Sequence, residues 1–456
     1  MEGEITAIEY SPDGRFLAAG DNCGKITVLK VDNDKKNEEK WVPYFLYQSH
    51  EPELDYLKSV GIDAKINKLK FCNTGGGTNI ILSTNDKTIK MWKICPKQSY
   101  SCDAVSTYKT HGRLVLPSRL QRKRIERQET DTTEDTAGFS DETTSVKTAV
   151  SGTEVESDDE VEDVTPSPSG SLHASLKRSF SNAHAYHIDS LDVNMDGETF
   201  LTADDLRINW WNMEVPDTAF TVVDIKPDNM EDLTEVITSA QFNPTDASYL
   251  IFSSSRGSIK GVDCRANALA NKYSQVFKDA KPAPLHAKPF ISDILQSVSS
   301  ATYSKDGRHI IARDYLSVKI WDTRNQSTPA STVLLHEHLR PMLLDLYTSD
   351  YIFDKFEVRC SHDGKHFATG SYSNQLKVYS SDKGTLRTID MPPVAPHGSL
   401  IPQKIDGGMG EMNSTTAQIG GGGVRLDEKA LHCAWDPTGG GVAVAGAEGV
   451  LLLYKI

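Results

Sequence analysis

Residues 5–30 read ITAIEYSPDGRFLAAGDNCGKITVLK, and the fold is decided by how this stretch is divided. ITAIEY alternates apolar and polar side chains, SPDG is a turn, RFLAAG is a second apolar run, DNCG is another turn, and KITVLK alternates again. Alternation with period two marks strands, and Pro-Asp-Gly and Asn-x-Gly clusters between them mark reversals. The grammar recurs at 190–212 as SLDV, NMDG, ETFLTA, DDL, RINWWN, and at 300–322 as SATY, SKDG, RHIIAR, DYL, SVKIWD. Further copies end in IKMWK (89–93), IKGVDCR (259–265), LKVYS (376–380) and LLLYK (451–455).

Each of the seven copies closes on a bulky residue at the end of its third strand: Leu29, Trp92, Trp211, Val262, Trp321, Tyr379 and Tyr454. The distance from turn to anchor is nearly constant, 15 residues after Gly14, 14 after Gly197, 16 after Asp246, 14 after Gly307, and 15 after both Gly364 and Gly439. A fixed unit joined by variable linkers is a structural repeat. A sheet of three or four strands cannot bury both faces alone, whereas seven packed radially cover one another, so the pattern predicts an all-β, seven-bladed propeller with the anchors as packing residues between blades. Two short segments depart from the strand pattern: PELDYLKS (52–59) and NMEDLTEV (229–236) have helix-like spacing and are expected to form brief helical turns.

The repeat is interrupted after its second copy. Trp92 and Trp211 lie 119 positions apart, against 63 for the preceding anchor step and 51 for the following one. RLVLPSRL (113–120) and LHASLKRSFSNA (172–183) read as strands flanking a Ser/Thr/Asp/Glu-rich middle, hence a protruding β-hairpin arm with a disordered tip. Between Glu129 and Asp163 there are thirteen carboxylates and one lysine, a local charge of −12 in a chain whose net is −14, so the rest is nearly neutral. Ser157 before three acidic residues, Thr165-Pro166 and Ser167-Pro168 are kinase-acceptor patterns in that tip, near the basic run Arg122, Lys123, Arg124 and Arg127. The domain reading is therefore blades one and two at 1–107, the arm at 108–185 with its acidic insertion at about 129–170, and blades three to seven at 186–456, with a flexible Gly/Pro-rich loop at about 391–423.

Acidic residues (63) outnumber basic ones (49), which disfavours nucleic acid and anionic membrane and favours basic partners. No apolar run approaches the ~18 residues of a membrane span, and the first residues lack the basic and apolar regions of a secretory signal. Seven cysteines without a C-x-x-C pair predict reduced thiols, expected in cytosol or nucleus. The histidines of NAHAYHI (182–188) and LHEHL (335–339) lack a third ligand at metal spacing, and Asp204 and Asp205 sit where a repeat holds its own turn. The Gly run at 420–423 lacks the Lys-Ser/Thr ending of a phosphate loop. No nucleophile, base or metal set stands out, so the chain reads as non-catalytic, with no cofactor. A propeller gathers on one rim Glu51, Glu53 and Asp55, then Asp205 and Leu206, then Glu231, Asp232, Leu233 and Glu235, which is either a solvated face or a groove for a basic, partly apolar peptide.

Seven longer segments carry a resemblance: QSHEPELDYLKS (48–59), STNDKTIKMWK (83–93), NAHAYHI (182–188), TADDLRIN (202–209), VVDIKPDNMEDLTEVITSAQFNP (222–244), RDYLSVKIWD (313–322) and IFDKFE (352–357). They closely resemble the B-type regulatory subunit of protein phosphatase 2A, fifty-five-kilodalton class, a WD-repeat family. The resemblance implies a substrate-targeting subunit that joins a helical-repeat scaffold subunit and a Ser/Thr phosphatase catalytic subunit and recruits phosphoproteins with basic segments. It maps a substrate groove onto Tyr186, His187, Asp205, Leu206, Glu231 and Leu233, with Asn85, Asp86 and Lys87 nearby, and a scaffold-gripping arm onto Arg113, Leu114, Val115, Leu116 and Phe180. Three departures stand out. The family resembled closes the ring with an extra N-terminal strand, whereas this sequence starts almost directly in its first module, so the expectation is either closure on fewer strands or a misplaced start. The acidic insertion lengthens the arm, and the Gly-rich stretch before Val424 replaces a lysine-bearing loop. The competing reading is a propeller adaptor of another complex, such as the substrate receptor of a ubiquitin ligase.

Overall fold

The computed structural model describes residues 3–33, 39–55, 59–72, 79–96, 172–181, 183–270, 272–280, 289–391, 403–404, 424–446 and 449–455. Seven four-stranded sheets follow one another along the chain and form a seven-bladed β-propeller. Their spans are 5–48, 68–96 with 172–180, 190–224, 237–278, 300–334, 358–390, and 432–455 with 403–404. The propeller comprises 1–95 and 172–456, and 96–171 form a separate unit. Arg113, Leu114, Val115 and Leu116, the acidic insertion and the three kinase-acceptor patterns lie outside the described residues.

The repeated turn explains itself atom by atom. Ser11 Oγ donates to Asp13 Oδ1 (2.5 Å) and accepts from the Phe16 amide (2.9 Å), and Gly14 takes φ 70°, where a side chain is strained. A Cβ on Gly14 would also stand 2.5 Å from Thr438 of blade seven. The same hydroxyl and carboxylate pattern returns at Ser304 with Asp306 and at Ser361 with Asp363. Between neighbouring blades, side chains of one innermost strand bond the edge amides of the next. Ser190 and Asp192 accept from the amides of Ala240 and Phe242, Ser239 and Gln241 from those of Ala301 and Tyr303, and Ser300 from that of Val358. Strand edges that a propeller would leave unpaired at its axis are thereby satisfied.

Apolar cores lie between the blades. Trp211, 1% exposed, packs with Phe180, Ile89 and Met91 of blade two, and Trp321 packs with Ile251, Ile259 and Phe277 of blade four. Leu29, Val262 and Tyr454 are buried likewise, while Trp92 and Tyr379 are half-buried. The ring closes where Ile5, Tyr10 and Leu17 of blade one meet Ala434, Ala443 and Leu453 of blade seven. Blade seven takes its fourth strand from the preceding loop: Gln403–Lys404 pairs in parallel with Tyr454 and Lys455.

Three expectations change. Within the segment expected as a helical turn, Glu53–Asp55 is instead a strand that pairs antiparallel with Val60–Ile62, with Ser59 at φ 54°; residues 56–58 lie outside the described residues. An eight-residue amphipathic pattern is too short to nucleate a helix by itself. The strand Leu172–Phe180 exists, but as the outer strand of blade two. Phe180 is 0% exposed and stacks edge-on against Phe200 and Trp211, so it is a core residue and not a scaffold contact. The turn expected near Met230 is present, as a single 3-10 turn, Met230–Asp232, capped by Asn229. Unforeseen were two helices, α1 (Pro289–Gln296) and α2 (Leu343–Thr348), which pack with Tyr315, Leu316 and Tyr372 over blades five and six. Among the described residues no helix is long and apolar enough to cross a membrane.

Candidate functional site

In blades one, two, three and five the turn between the second and third strands opens on the face that also carries the blade-to-blade loops, and its first residue ties the turn down. Asp204 Oδ1 accepts from the amides of Leu206 and Arg207, both at 2.8 Å. Its Oδ2 accepts from His184 Nδ1 (2.9 Å), whose Nε2 accepts from Thr202 Oγ1 (2.6 Å), and that oxygen in turn accepts from Trp211 Nε1 (2.8 Å). Burial pushes the Asp204 carboxyl up, but the bonds from His184 and the Leu206 amide outweigh it and hold it below the usual range. Asp314 and Asn85 hold the equivalent turns, Asn85 by accepting from the amides of Lys87 (3.0 Å) and Thr88 (2.7 Å). Asn85 is 1% exposed and therefore a turn residue, not part of a contact surface.

The remaining predicted residues assemble from three consecutive loops. The Ile188 amide donates to Asp86 O (3.1 Å), the Asp189 amide to Ala203 O (2.9 Å), and the Ile237 amide to Asp205 O (2.7 Å), so blade two's turn, the 181–189 loop and the 225–236 loop form one continuous rim. His187 is largely exposed and meets Asp86 at 2.9 Å, Lys87 reaches Ala185 O, and Tyr186 is half-buried. Glu231 and Asp232 are exposed, Leu233 is half-buried, and Glu235 pairs with Lys260. Asp205 is half-buried, and its carboxyl is pushed up by desolvation and by the neighbouring charge of Asp189. Leu206, expected as an exposed apolar contact, is 2% exposed, because its backbone carbonyl pairs with Ile225 and its side chain turns beneath the rim. Among the described residues no group of three His, Cys, Asp or Glu side chains is gathered as a metal site.

Comparison with known proteins adds the family. Residues 1–28 match the WD domain, G-beta repeat model. Over 99% of its length the chain is 36% identical to the serine/threonine-protein phosphatase 2A regulatory subunit sur-6 of Caenorhabditis elegans, covering 86% of that protein. It is 35% identical to the PP2A B-type regulatory subunit of Schizosaccharomyces pombe, covering 93%, and 37% identical to the beta isoform of the 55 kDa B-type regulatory subunit of Arabidopsis thaliana, covering 92%. The chain belongs to the family of 55 kDa B-type regulatory subunits of protein phosphatase 2A. As a family member it is a non-catalytic regulatory subunit.

Two rim residues of this regulatory subunit escaped the sequence reading. Asp189 ends the 181–189 loop, and Lys355 Nζ, from the loop between blades five and six, lies 3.1 Å from Asp189 Oδ2. The signal for Lys355 was its place in IFDKFE, a segment that carried the resemblance without a role. Phe353, two positions earlier, is 52% exposed. The regulatory subunit thus presents Asp205, Asp189, Glu231 and Asp232 as acid, with Leu233 and Phe353 as apolar surface, on one face.

Proposed function

We propose that this chain is the substrate-targeting subunit of a phosphatase 2A heterotrimer: it binds a scaffold subunit and a catalytic subunit and recruits phosphoproteins whose phosphosite is flanked by basic residues. The observation that carries the groove is Asp205, a half-buried carboxylate beside a second acid, Asp189, with no hydrogen bond to its own side chain among the described residues. Asp189 already has Lys355 at 3.1 Å, but the Asp205 carboxyl is still pushed up by desolvation and by Asp189 and is relieved by a further cation, so a Lys or Arg side chain is the ligand that Asp205 favours. Leu206 being buried, the apolar part of the substrate rests on Leu233 and the exposed ring of Phe353. Binding moves no bond; it raises the effective concentration of the phosphosite at the catalytic subunit, and the rim charges govern association rate and selectivity.

The test has two arms. Affinity purification with the full chain recovers scaffold and catalytic subunits, and replacing 97–171 by a short turn, with the strand Leu172–Phe180 kept so that blade two stays whole, abolishes their recovery. Cullin-type partners in place of phosphatase subunits would overturn the assignment. In the assembled trimer, Asp205→Lys leaves composition unchanged and slows dephosphorylation of a basic-flanked phosphopeptide. Unaltered selectivity would remove Asp205 from the groove.

A further inference from the structure

On the opposite face, where the repeated Ser-x-Asp-Gly turns gather, the axial channel widens into a vestibule of about 510 Å3 to which all seven blades contribute. That volume is within the roughly 300–1,000 Å3 typical of small-molecule sites. Its carboxylates are already committed. Glu9 accepts from Lys70 (2.8 Å), Asp192 accepts from the Phe242 amide (2.9 Å) and faces Lys70 at 3.4 Å, and Asp436 accepts from the amide and hydroxyl of Thr438 (2.8 and 2.7 Å). Its donors are less so. The Arg359 guanidinium, partly exposed, forms ion pairs with Glu357 (3.6 Å) and Glu9 (3.9 Å) that are too long for hydrogen bonds, and its buried Nε has no hydrogen-bond partner. Lys305 and His362 line the same cavity, are exposed, and make no hydrogen bond or ion pair among the described residues. All three come from blades five and six. The wall contributed by blades one and seven includes Pro12, Trp435 and Pro437 beside the committed carboxylates Glu9 and Asp436.

One side of the vestibule therefore offers Lys305 and His362, unpaired among the described residues, next to an Arg359 held only by long ion pairs, and the other offers Pro12, Trp435 and Pro437 as apolar surface. We propose that the vestibule binds a small molecule with one oxyanion group, carboxylate or phosphate, on an apolar body, the oxyanion on Arg359 and Lys305 and the body against Trp435. An Arg fork and an ammonium are the groups suited to such an oxyanion, and the aromatic wall suits a ring or short aliphatic chain. The site is separate from the acidic rim and does not depend on which substrates the rim selects.

The test is calorimetric titration of the full chain with phenylphosphonate, benzoate, inorganic phosphate and benzyl alcohol. The expected result is saturable one-to-one binding of the first two, with inorganic phosphate and benzyl alcohol weaker by about ten-fold or more because each lacks one half of the ligand. Lys305→Glu with His362→Glu, both at exposed positions, should weaken phenylphosphonate by about ten-fold or more, and Arg359→Gln should do the same if it folds. Unchanged affinity in the folded Lys305→Glu/His362→Glu variant, equal binding of benzyl alcohol, or no heat at millimolar ligand would each overturn the proposal.

Discussion

Asp205 and Leu206 adjoin in the chain, yet one carboxylate faces the rim while the next side chain lies beneath it. The cause is the turn that Asp204 ties down through two backbone amides, which sends successive side chains to opposite sides. Because desolvation and Asp189 push the Asp205 carboxyl up, it gains a proton at higher pH than an ordinary aspartate. The affinity for a Lys/Arg-flanked peptide should accordingly fall on acidification earlier than an unperturbed carboxylate would allow, and Asp205→Asn should flatten that dependence; fluorescence polarisation across pH checks both. Charge reversal at the same position is expected to cost about ten-fold or more in affinity, since it exchanges an attraction for a repulsion in a half-desolvated site. His336 provides a second residue-scale prediction. It is fully buried, bonded to Ser371 Oγ (2.8 Å) and Tyr315 O (2.9 Å), and burial, with the charge of Arg313, holds its imidazole well below the ordinary 6.5. An unfolded histidine takes up a proton below about that value and the folded one does not, so this contribution is fully present above pH 6.5 and is lost as pH falls, by about 1.4 kcal/mol per unit. Thermal unfolding midpoints should decline from about pH 6.5 downward; a flat profile to about pH 5 would contradict it.

At the scale of an element, the strand Leu172–Phe180 has a role its own residues did not announce. LHASLKRSF has the alternation of an edge strand, and both readings of it, arm or blade, share that pattern. What separates them is Phe180, inserted between Phe200 and Trp211 at ring distances of 4.9 and 5.5 Å. Phe180→Ala should cost about 3–5 kcal/mol in denaturant unfolding, the usual range for a buried aromatic. A residue serving only to grip a partner would leave the isolated chain's stability unchanged. The hairpin at 53–62 teaches the converse: Leu54 and Leu57 have spacing that fits one helical turn, but a turn of helix needs packing to persist, and Leu54 and Val60 are both exposed. α1 and α2 went unread because their apolar residues, Ile291, Leu295, Leu343 and Leu346, serve a core built with Tyr315 and Tyr372 from two different blades, which no local window contains.

For the whole molecule, closure rests on packing between blades one and seven. Tyr10 and Leu453 share that core, so Tyr10→Ala and Leu453→Ala are expected to be non-additive, with a coupling of about 0.5–3 kcal/mol in a double-mutant cycle. Additive losses would mean that the two blades do not support each other. The sequence alone determined the number of blades and the anchor of each, because a sheet's period-two pattern, its Gly-bearing turns and its fixed spacing are local properties that repeat. It also determined the family, through long segments such as TADDLRIN and IFDKFE. Only the tertiary structure decided that Leu206, Asn85 and Phe180 are interior, that Lys355 stands beside Asp189 from 166 positions away, and that Arg359 and Lys305 line one channel mouth. Burial and charge pairing are set by which blades become neighbours around the ring, and that adjacency exists only once the ring has closed.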